Sequence, residues 1–117
     1  MLFPGRVDDD RFHPKRVVIG ARTTDGAVAF DKNALRESQV LTGEIGETPV
    51  VAVYDDRYDT GYVYQNPDEH PVRKEGGQIA VDGETYMPDT LPLARILAFD
   101  AMWFAWVGYY PATTIYA

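Results

Sequence analysis

Tight-turn signals recur along this chain and constrain its fold more than any other sequence feature. They include Thr24-Asp25-Gly26, Gly76-Gly77 and Asp82-Gly83, and short β-rich segments lie on both sides of the first two. Asp-Gly and Gly-Gly pairs supply the positive φ that two-residue hairpin turns need. Parallel strands instead need a crossover of a dozen or more residues. The sequence therefore predicts β-hairpins rather than a βαβ fold.

The strands can be placed from composition and from the alternation of apolar and polar residues. The predicted strands are Arg16–Arg22, Ala27–Asp31, Val40–Ile45, Val50–Tyr54, Gly61–Tyr64, Val72–Glu75, Gln78–Val81 and Thr113–Tyr116. Val50–Tyr54 is the most apolar of them, which predicts a central position in the sheet. Between the second and third strands, Asp31 can cap one or two helical turns that reach Glu37.

The segment Ile96–Tyr110 is apolar apart from Asp100 and is predicted to be a helix. One aromatic stripe at helical spacing comprises Phe99, Trp103, Trp106 and Tyr110. Asp100 is expected in the first turn, where its charge complements the helix dipole, and Gly108 is expected to end the helix. The segment is shorter than the ~20 residues that a spanning helix needs, so we expect a buried or interface helix.

Together these elements predict a mostly β fold with a minor α+β character. The expected architecture is an antiparallel sheet or a small barrel with one or two short helices. The 117 residues correspond to a single domain, and Met1–Pro14 is predicted to be a polar lead-in arm of that domain.

The charge balance bounds the partners of the chain. Its 18 acidic residues exceed its 11 basic ones, which gives a net charge of -7. Such a surface repels phosphates and anionic lipids, so we expect neither nucleic acid nor membrane as a partner. The acid-rich, lysine-poor composition favours a salt-adapted protein, with an ordinary acidic protein as the alternative. The absence of cysteine excludes disulfides and thiolate chemistry and, with no apolar signal segment in Met1–Asp10, favours a cytoplasmic location.

An acidic loop follows the most apolar strand. Asp55, Asp56 and Asp59 are three carboxylates within five positions, and such oxygen ligands suit a hard cation such as Ca²⁺. However, Arg57 stands where a second acidic ligand is expected, and Asn66 stands where a calcium loop ends with Glu. A solvated acidic turn in which Arg57 neutralises its neighbours is therefore the favoured interpretation, and no cofactor is predicted.

The strand, loop and strand around Tyr54–Tyr62 are also the alternative place for a small-molecule site. The candidate ligand-binding residues are Tyr54, Asp55, Asp56, Arg57, Asp59 and Tyr62. An enzyme that uses Asp55 or Asp56 as general base ranks last, because no second catalytic group can be named. His13, His70 and the lone Ser38 lack partners at catalytic or metal-binding spacing, and no phosphate-binding loop is present. No catalytic residue is predicted.

The aromatic content is high, with eight Tyr, five Phe and two Trp. The simplest interpretation is a core helix packed on the sheet. Alternatively, some of these rings form a patch for a partner, since Tyr and Trp are effective interface anchors. The candidate interface residues are Trp103, Phe104, Trp106, Tyr109 and Tyr110. We predict a homo-oligomer that forms through this segment or through an exposed strand edge.

Several motifs in a fixed order carry a family resemblance. They are Phe3-Pro4, Asp9 to Lys15, Val17 to Gly20, Asp25 to Phe30, Leu35, Gly46 to Tyr54, Trp103 to Trp106 and Tyr110 to Thr113. With them the chain resembles a broad prokaryotic family of uncharacterised proteins, domain of unknown function number thirty-one seventy-nine. The resemblance covers nearly the whole chain, apart from Asn66–Leu91.

The resemblance also shows what this chain lacks. In that family, the strand equivalent to Val50–Tyr54 is often followed by Cys-Pro-Leu-Cys, whereas this chain has Asp55, Asp56, Arg57 and Tyr58 there. Any role of those cysteines is therefore absent here. Long members contain a second, cysteine-free copy of the pattern, and this chain is similar to a stand-alone version of that C-terminal part. The resemblance implies no activity.

We therefore predict a small structural or protein-interaction domain that associates with itself, with no catalytic activity evident in the sequence. The alternative is a domain that binds a small molecule or a divalent cation at Tyr54–Tyr62.

Overall fold

A computed structural model of the chain describes residues 16–117, so the predicted lead-in arm lies outside the described residues. The strands are β1 (Val17–Thr23), β2 (Gly26–Asp31), β3 (Val40–Ile45), β4 (Thr48–Asp55), β5 (Thr60–Gln65), β6 (Val72–Glu75), β7 (Gln78–Val81), β8 (Glu84–Tyr86), β9 (Arg95–Ile96), β10 (Ala98–Met102) and β11 (Thr114–Tyr116). The helices are α1 (Lys32–Ser38) and α2 (Trp103–Tyr109). Neither helix is both long and apolar enough to cross a membrane.

The strands of the described region form three sheets. The first sheet has the order β10-β1-β2-β11, the second β3-β4-β5-β9, and the third β6-β7-β8. All pairings are antiparallel except that of β11 with β2, which is parallel. Only Leu97 separates β9 from β10, so one extended stretch passes from the second sheet to the first. The mostly β prediction is confirmed, and within residues 16–117 the strands do not close into a barrel.

The central core lies between the first and second sheets. Alternate side chains of each strand point to the same face, so one set from every strand enters this space. Its buried members are Ile19, Ala21, Val28, Phe30, Leu35, Ile45, Val50, Ala52, Tyr54, Val63 and Ile96. Leu35 comes from α1, so this short helix is anchored in the central core.

The outer face of the first sheet is covered by α2. Trp103, Trp106 and Val107 of the helix pack with Val18 and Ala29 of the sheet, and all five side chains are buried. Residues three and four positions apart share one side of a helix, which explains why these three helix positions face inward together. The strands β1 and β2 are therefore buried on both faces.

The outer face of the second sheet is covered by the hairpin of the third sheet. The buried residues of this layer are Val51, Val53, Tyr64, Ile79, Val81 and Leu91. The strand β4 thus has a core on each face, which explains its unbroken apolar run and confirms its predicted central position. The pairing of β3 and β5 on its two edges agrees with this placement.

The predicted hairpins and the cap of α1 are confirmed. β1 pairs with β2, and β6 pairs with β7, each across the expected turn. Asp31 is the N-cap of α1, since its Oδ2 accepts a hydrogen bond of 3.0 Å from the Ala34 amide. The Asp31 carboxylate also pairs with the Arg16 guanidinium through bonds of 2.8 and 3.0 Å. The cap therefore also ties the helix to the start of β1.

The prediction of one helix over residues 96–110 is wrong in its first half. Phe99 and Asp100 belong to β10, which pairs along β1, and the helix begins only at Trp103. Backbone pairing at the sheet edge outweighs the helical spacing of the rings. The strand conformation does not cost the ring contact, since Phe99 still packs against the Trp106 ring from β10. Asp100 therefore does not complement a helix dipole, and Gly108 lies inside α2 rather than ending it.

The position of α2 is fixed by a close contact between Trp106 and the backbone of β1. A Cβ atom added at Gly20 would lie 2.5 Å from Cε3 and Cζ3 of the Trp106 ring. The ring is held in place because its Nε1 donates a buried hydrogen bond of 2.9 Å to Thr113 Oγ1. Position 20 thus requires glycine for close approach, although its φ is ordinary for a strand.

We predict that Gly20→Ala lowers the free energy of unfolding by about 1–3 kcal/mol, the usual cost of overpacking a rigid core. Gly77→Ala is the matched control, because a Cβ atom there meets nothing within 4 Å and its φ is not positive. Chemical denaturation of both variants measures the difference. Equal stability of the two variants would contradict the described packing of Trp106.

Candidate functional site

The acidic loop connects β4 to β5 through a turn at residues 56–59. Tyr54 and Asp55 are consecutive residues of β4, so their side chains point to opposite faces of the second sheet. The candidate residues therefore do not all converge on one point. The structure divides them into an Asp59 cluster on the face of the central core and an Asp55 cluster on the other face.

The Asp59 cluster is a network around one carboxylate. The Tyr54 hydroxyl donates to Asp59 Oδ1, and Arg36 Nη2 donates to the same oxygen at 2.9 Å. These two donors, the tyrosine hydroxyl first, lower the pKa of Asp59. Burial and the neighbouring Asp59 raise the pKa of Tyr54, so the phenol is held as a proton donor. Asp59 is thus ionised and already satisfied.

Lys32 extends the Asp59 cluster towards β10. Its Nζ forms an ion pair with Asp100 and lies 3.8 Å from Asp59 Oδ2. The lysine side chain is nearly buried, whereas both carboxylates are substantially exposed. A nearly buried ammonium group needs such partners, since an unpaired buried charge is costly. The network joins α1, the loop and β10, and its charges are already mutually neutralised.

The Asp55 cluster is a second neutralised arrangement. Asp55 is 1% exposed, and it accepts hydrogen bonds from Arg57 N, Nε and Nη2 at 2.9, 3.1 and 2.8 Å. The Arg57 guanidinium therefore lowers the pKa of Asp55. Arg57 also reaches Asp89 Oδ1 at 3.1 Å. A carboxylate with a lowered pKa is a weaker general base, so this environment gives no support to Asp55 in that role.

Tyr62 completes the Asp55 cluster on β5. The Arg95 guanidinium lies 4.8 Å from the centre of the Tyr62 ring, in cation–π contact. Burial, together with the negative charge of Asp55, raises the pKa of the Tyr62 hydroxyl. Asp56 remains exposed and makes no side-chain hydrogen bond or ion pair within residues 16–117.

The loop offers little room for a ligand. A cavity of about 180 Å³ lies beside it, lined by Tyr54, Asp55, Asp56 and Arg57 together with residues of the third sheet. Small-molecule sites commonly enclose about 300 Å³ or more. In the described part of the chain, no group of three or more His, Asp and Glu side chains is arranged to hold a metal ion. Asp55, Asp56 and Asp59 are not brought together.

The predicted interface residues separate into buried and exposed sets. Trp103 and Trp106 lie in the core beneath α2, and Tyr110 is half-buried. Phe104 and Tyr109 are 54% and 81% exposed. These two remain available to contact a partner.

A groove between β10 and α2 was not predicted from the sequence. Its volume is about 280 Å³, and it is lined by the rings of Phe99, Trp106, Tyr109 and Tyr110, by Ala101 and Ala105, and by Arg22. Phe99 could not be assigned to a groove while residues 96–110 were expected to form one helix. Arg22 gave no sequence signal, because a single arginine near a strand end is an ordinary solvent-facing residue.

We predict that Asp55→Asn lowers the free energy of unfolding by roughly 1–3 kcal/mol at neutral pH, because the buried carboxylate loses its charge-assisted hydrogen bonds with Arg57. The pKa of Asp55 is lowered in the folded chain. Its contribution is therefore complete above the ordinary Asp pKa of about 4 and is lost as the pH falls through the lower folded value. Denaturant unfolding from neutral to acidic pH measures this.

The matched control is Asp56→Asn, which changes an exposed carboxyl group one position along the chain. Its stability should follow that of the unsubstituted chain at every pH. Over the acidic range, the Asp55→Asn variant should lose less stability than the other two proteins do. A parallel loss in all three proteins would show that Asp55 makes no net electrostatic contribution.

The comparisons with known proteins place the chain in a family without assigning an activity. No curated protein matches the chain, and no solved structure matches it either. A family model described as a protein of unknown function, DUF3179, matches residues 1–113. The match includes the central strands, the acidic loop and α2, and it confirms the resemblance seen in the motifs. The chain belongs to the DUF3179 family of proteins of unknown function.

Proposed function

We propose that this chain is a protein-interaction domain that associates with a second copy of itself through the solvent face of α2, defined as Phe104, Gly108 and Tyr109. The observation that carries the proposal is an uncharged helix face on which two exposed aromatic side chains lie beside a glycine.

Phe104 and Tyr109 expose more of their rings than folding of one chain explains. The opposite side of α2 already supplies the core contacts, through Trp103, Trp106 and Val107. Exposed aromatic rings add nothing to the core of a single chain, whereas aromatic residues are enriched at the centres of interfaces. A second molecule that covers these rings would gain the hydrophobic stabilisation that the single chain leaves unused.

Gly108 has no structural role within the described region. It is exposed inside α2, its φ is not positive, and a Cβ atom there would meet nothing within 4 Å. Glycine inside a helix costs roughly 1 kcal/mol relative to alanine. A glycine on a helix surface does, however, let another backbone or ring approach closely. We therefore assign Gly108 to contact with a second copy.

The arrangement suits a two-fold symmetric contact. Phe104 and Gly108 are four residues apart, so they lie on the same side of α2. With two antiparallel copies of α2, the Phe104 ring of each copy can occupy the notch at Gly108 of the other, which is an isologous interface. The helix has seven residues and is therefore only about 10 Å long. The buried area is small, so association is weak and depends on concentration.

Charge favours this face over the rest of the surface. The chain has a net charge of -7, so two copies repel each other on average. The seven residues of α2 include no acidic or basic side chain. Contact through α2 keeps carboxylates away from the centre of the interface, as interfaces generally do with charged residues.

The alternative, a small-molecule or divalent-cation site at residues 54–62, receives less support. Asp55 and Asp59 are each occupied by arginine, and they lie in separate clusters. A cation would have to displace these guanidinium groups, and the adjoining cavity is small.

We predict that Gly108→Ala stabilises the single chain by up to about 1 kcal/mol, through helix propensity, yet weakens self-association. A methyl group would fill the notch without affecting the core. Phe104→Ala should also weaken self-association, with little change in stability. Sedimentation velocity over a wide concentration range measures the association, and thermal unfolding measures the stability.

The matched control is Tyr58→Ala, which removes another exposed aromatic ring, on the turn between β4 and β5 rather than on α2. This variant should associate as the unsubstituted chain does. A monomer at every concentration would overturn the proposal. So would a dimer whose association is unchanged by both Gly108→Ala and Phe104→Ala.

A further inference from the structure

We infer that the groove between β10 and α2 binds a small monocarboxylate with an aromatic or apolar body, and that the Arg22 guanidinium receives its carboxylate. The groove shares Tyr109 with the self-association face, but Phe104 and Gly108 do not line it. No part of the inference depends on whether two copies of the chain associate.

The groove has an aromatic lining that suits an apolar group. The Phe99 and Trp106 ring centres lie 5.7 Å apart with the planes at 74°, and the Trp106 and Tyr110 centres lie 4.5 Å apart. Tyr109 continues the series, 6.5 Å from Tyr110. Ligand pockets typically combine such an aromatic lining with a few polar groups that orient the ligand. The groove volume of about 280 Å³ is just below the usual range, so the site admits only a small ligand.

The Trp106 part of the aromatic lining is preformed. The Trp106 ring is held by its hydrogen bond to Thr113 and by its contact with Gly20. The connection after α2 is also fixed, because the Tyr110 amide donates to the Trp106 carbonyl at 2.9 Å and the Thr113 amide donates to the Tyr110 carbonyl at 3.0 Å. A rigid site loses little conformational entropy when a ligand binds.

Arg22 is the polar group that gives the groove its specificity. The other described arginines are engaged: Arg16, Arg36, Arg57 and Arg73 pair with carboxylates, and Arg95 lies over Tyr62. Among residues 16–117, Arg22 is the arginine whose guanidinium makes no hydrogen bond, ion pair or ring contact. A guanidinium matches a carboxylate through two parallel bonds, so an uncommitted one beside an apolar groove suits an apolar carboxylate.

A larger cleft next to the groove limits the ligand to one negative charge. The cleft has a volume of about 660 Å³ and shares Arg22, Tyr109 and Tyr110 with the groove. Asp25 and Glu44 also line it. These carboxylates disfavour a second anionic group on the ligand by like-charge repulsion. The site therefore favours a monocarboxylate over a dicarboxylate.

The test uses phenylacetate, its neutral counterpart phenylethanol, and the dicarboxylate phenylmalonate as probes. Nuclear magnetic resonance follows the Trp106 indole N–H during titration, since such small probes bind weakly. The chain is kept dilute, at one fixed salt concentration. We expect phenylacetate to bind about tenfold more tightly than phenylethanol, and more tightly than phenylmalonate.

Variants then separate the two parts of the site. Arg22→Gln should abolish the preference for phenylacetate over phenylethanol while leaving phenylethanol binding unchanged. Ala105→Leu should fill the groove and weaken both probes. Arg95→Gln is the matched control, since it removes an arginine that lies over Tyr62 outside the groove, and it should change nothing.

Several outcomes would overturn the inference. The first is that neither phenylacetate nor phenylethanol binds. The second is that the two probes bind with equal affinity. The third is that the Arg22→Gln variant still binds phenylacetate more tightly than phenylethanol. Because Arg22 is exposed, its variant folds even if Ala105→Leu does not. The Phe104→Ala variant separates this inference from the proposed function. It is expected to weaken self-association but to keep probe binding, so a failure of one proposal can be told from a failure of the other.

Discussion

The contact between the Trp106 ring and the backbone of Gly20 fixes the orientation of α2, and so determines which of its side chains face solvent. Because β1 has no side chain at that position, the indole can pack directly on the strand, and its hydrogen bond to Thr113 prevents it from turning away. The helix α2 is thereby held with Trp103 and Trp106 inward. Phe104 and Tyr109 consequently point outward, and the space between the helix and β10 remains open as a groove. The self-association face and the ligand groove therefore both depend on the packing of Trp106 against Gly20.

The sequence predicted the β architecture well because its strongest signals are local. The turn pairs, the alternation of β2 and the unbroken apolar run of β4 each report on a few neighbouring residues, and all three were confirmed. The failure at residues 96–102 has the opposite cause. Phe99 and Trp103 are four positions apart, which fits a helix, but β10 gains a full set of backbone bonds from β1, about eighty residues earlier in the chain. The spacing of apolar residues within a short segment carries no information about a strand partner that is distant in sequence.

The candidate site was predicted less well, for a related reason. Sequence proximity suggested that Asp55 and Asp59 act together, whereas the alternation of β4 sends Tyr54 and Asp55 to opposite faces of the sheet. The groups that neutralise the two carboxylates include Arg36 from α1 and, next to Asp55, Arg57 of the loop itself. The loop arginine was recognised from the sequence, but the helix arginine was not. An acidic run therefore predicts a charged loop, and only the fold shows how much of that charge is already balanced.

The distribution of cations links these observations. In a chain with more acids than bases, four of the six described arginines and Lys32 pair with carboxylates. Several of these pairs join different elements, such as Arg16 with Asp31 and Lys32 with Asp100. The remaining unpaired acids leave the outer surface negative, so a second copy or an anionic ligand meets repulsion over most of it. The region of α2 is different, because the helix carries no charge and the guanidinium beside it is uncommitted. This contrast explains why self-association and carboxylate binding are both inferred on this one side of the molecule: here apolar contact is available and an arginine is free to receive a carboxylate.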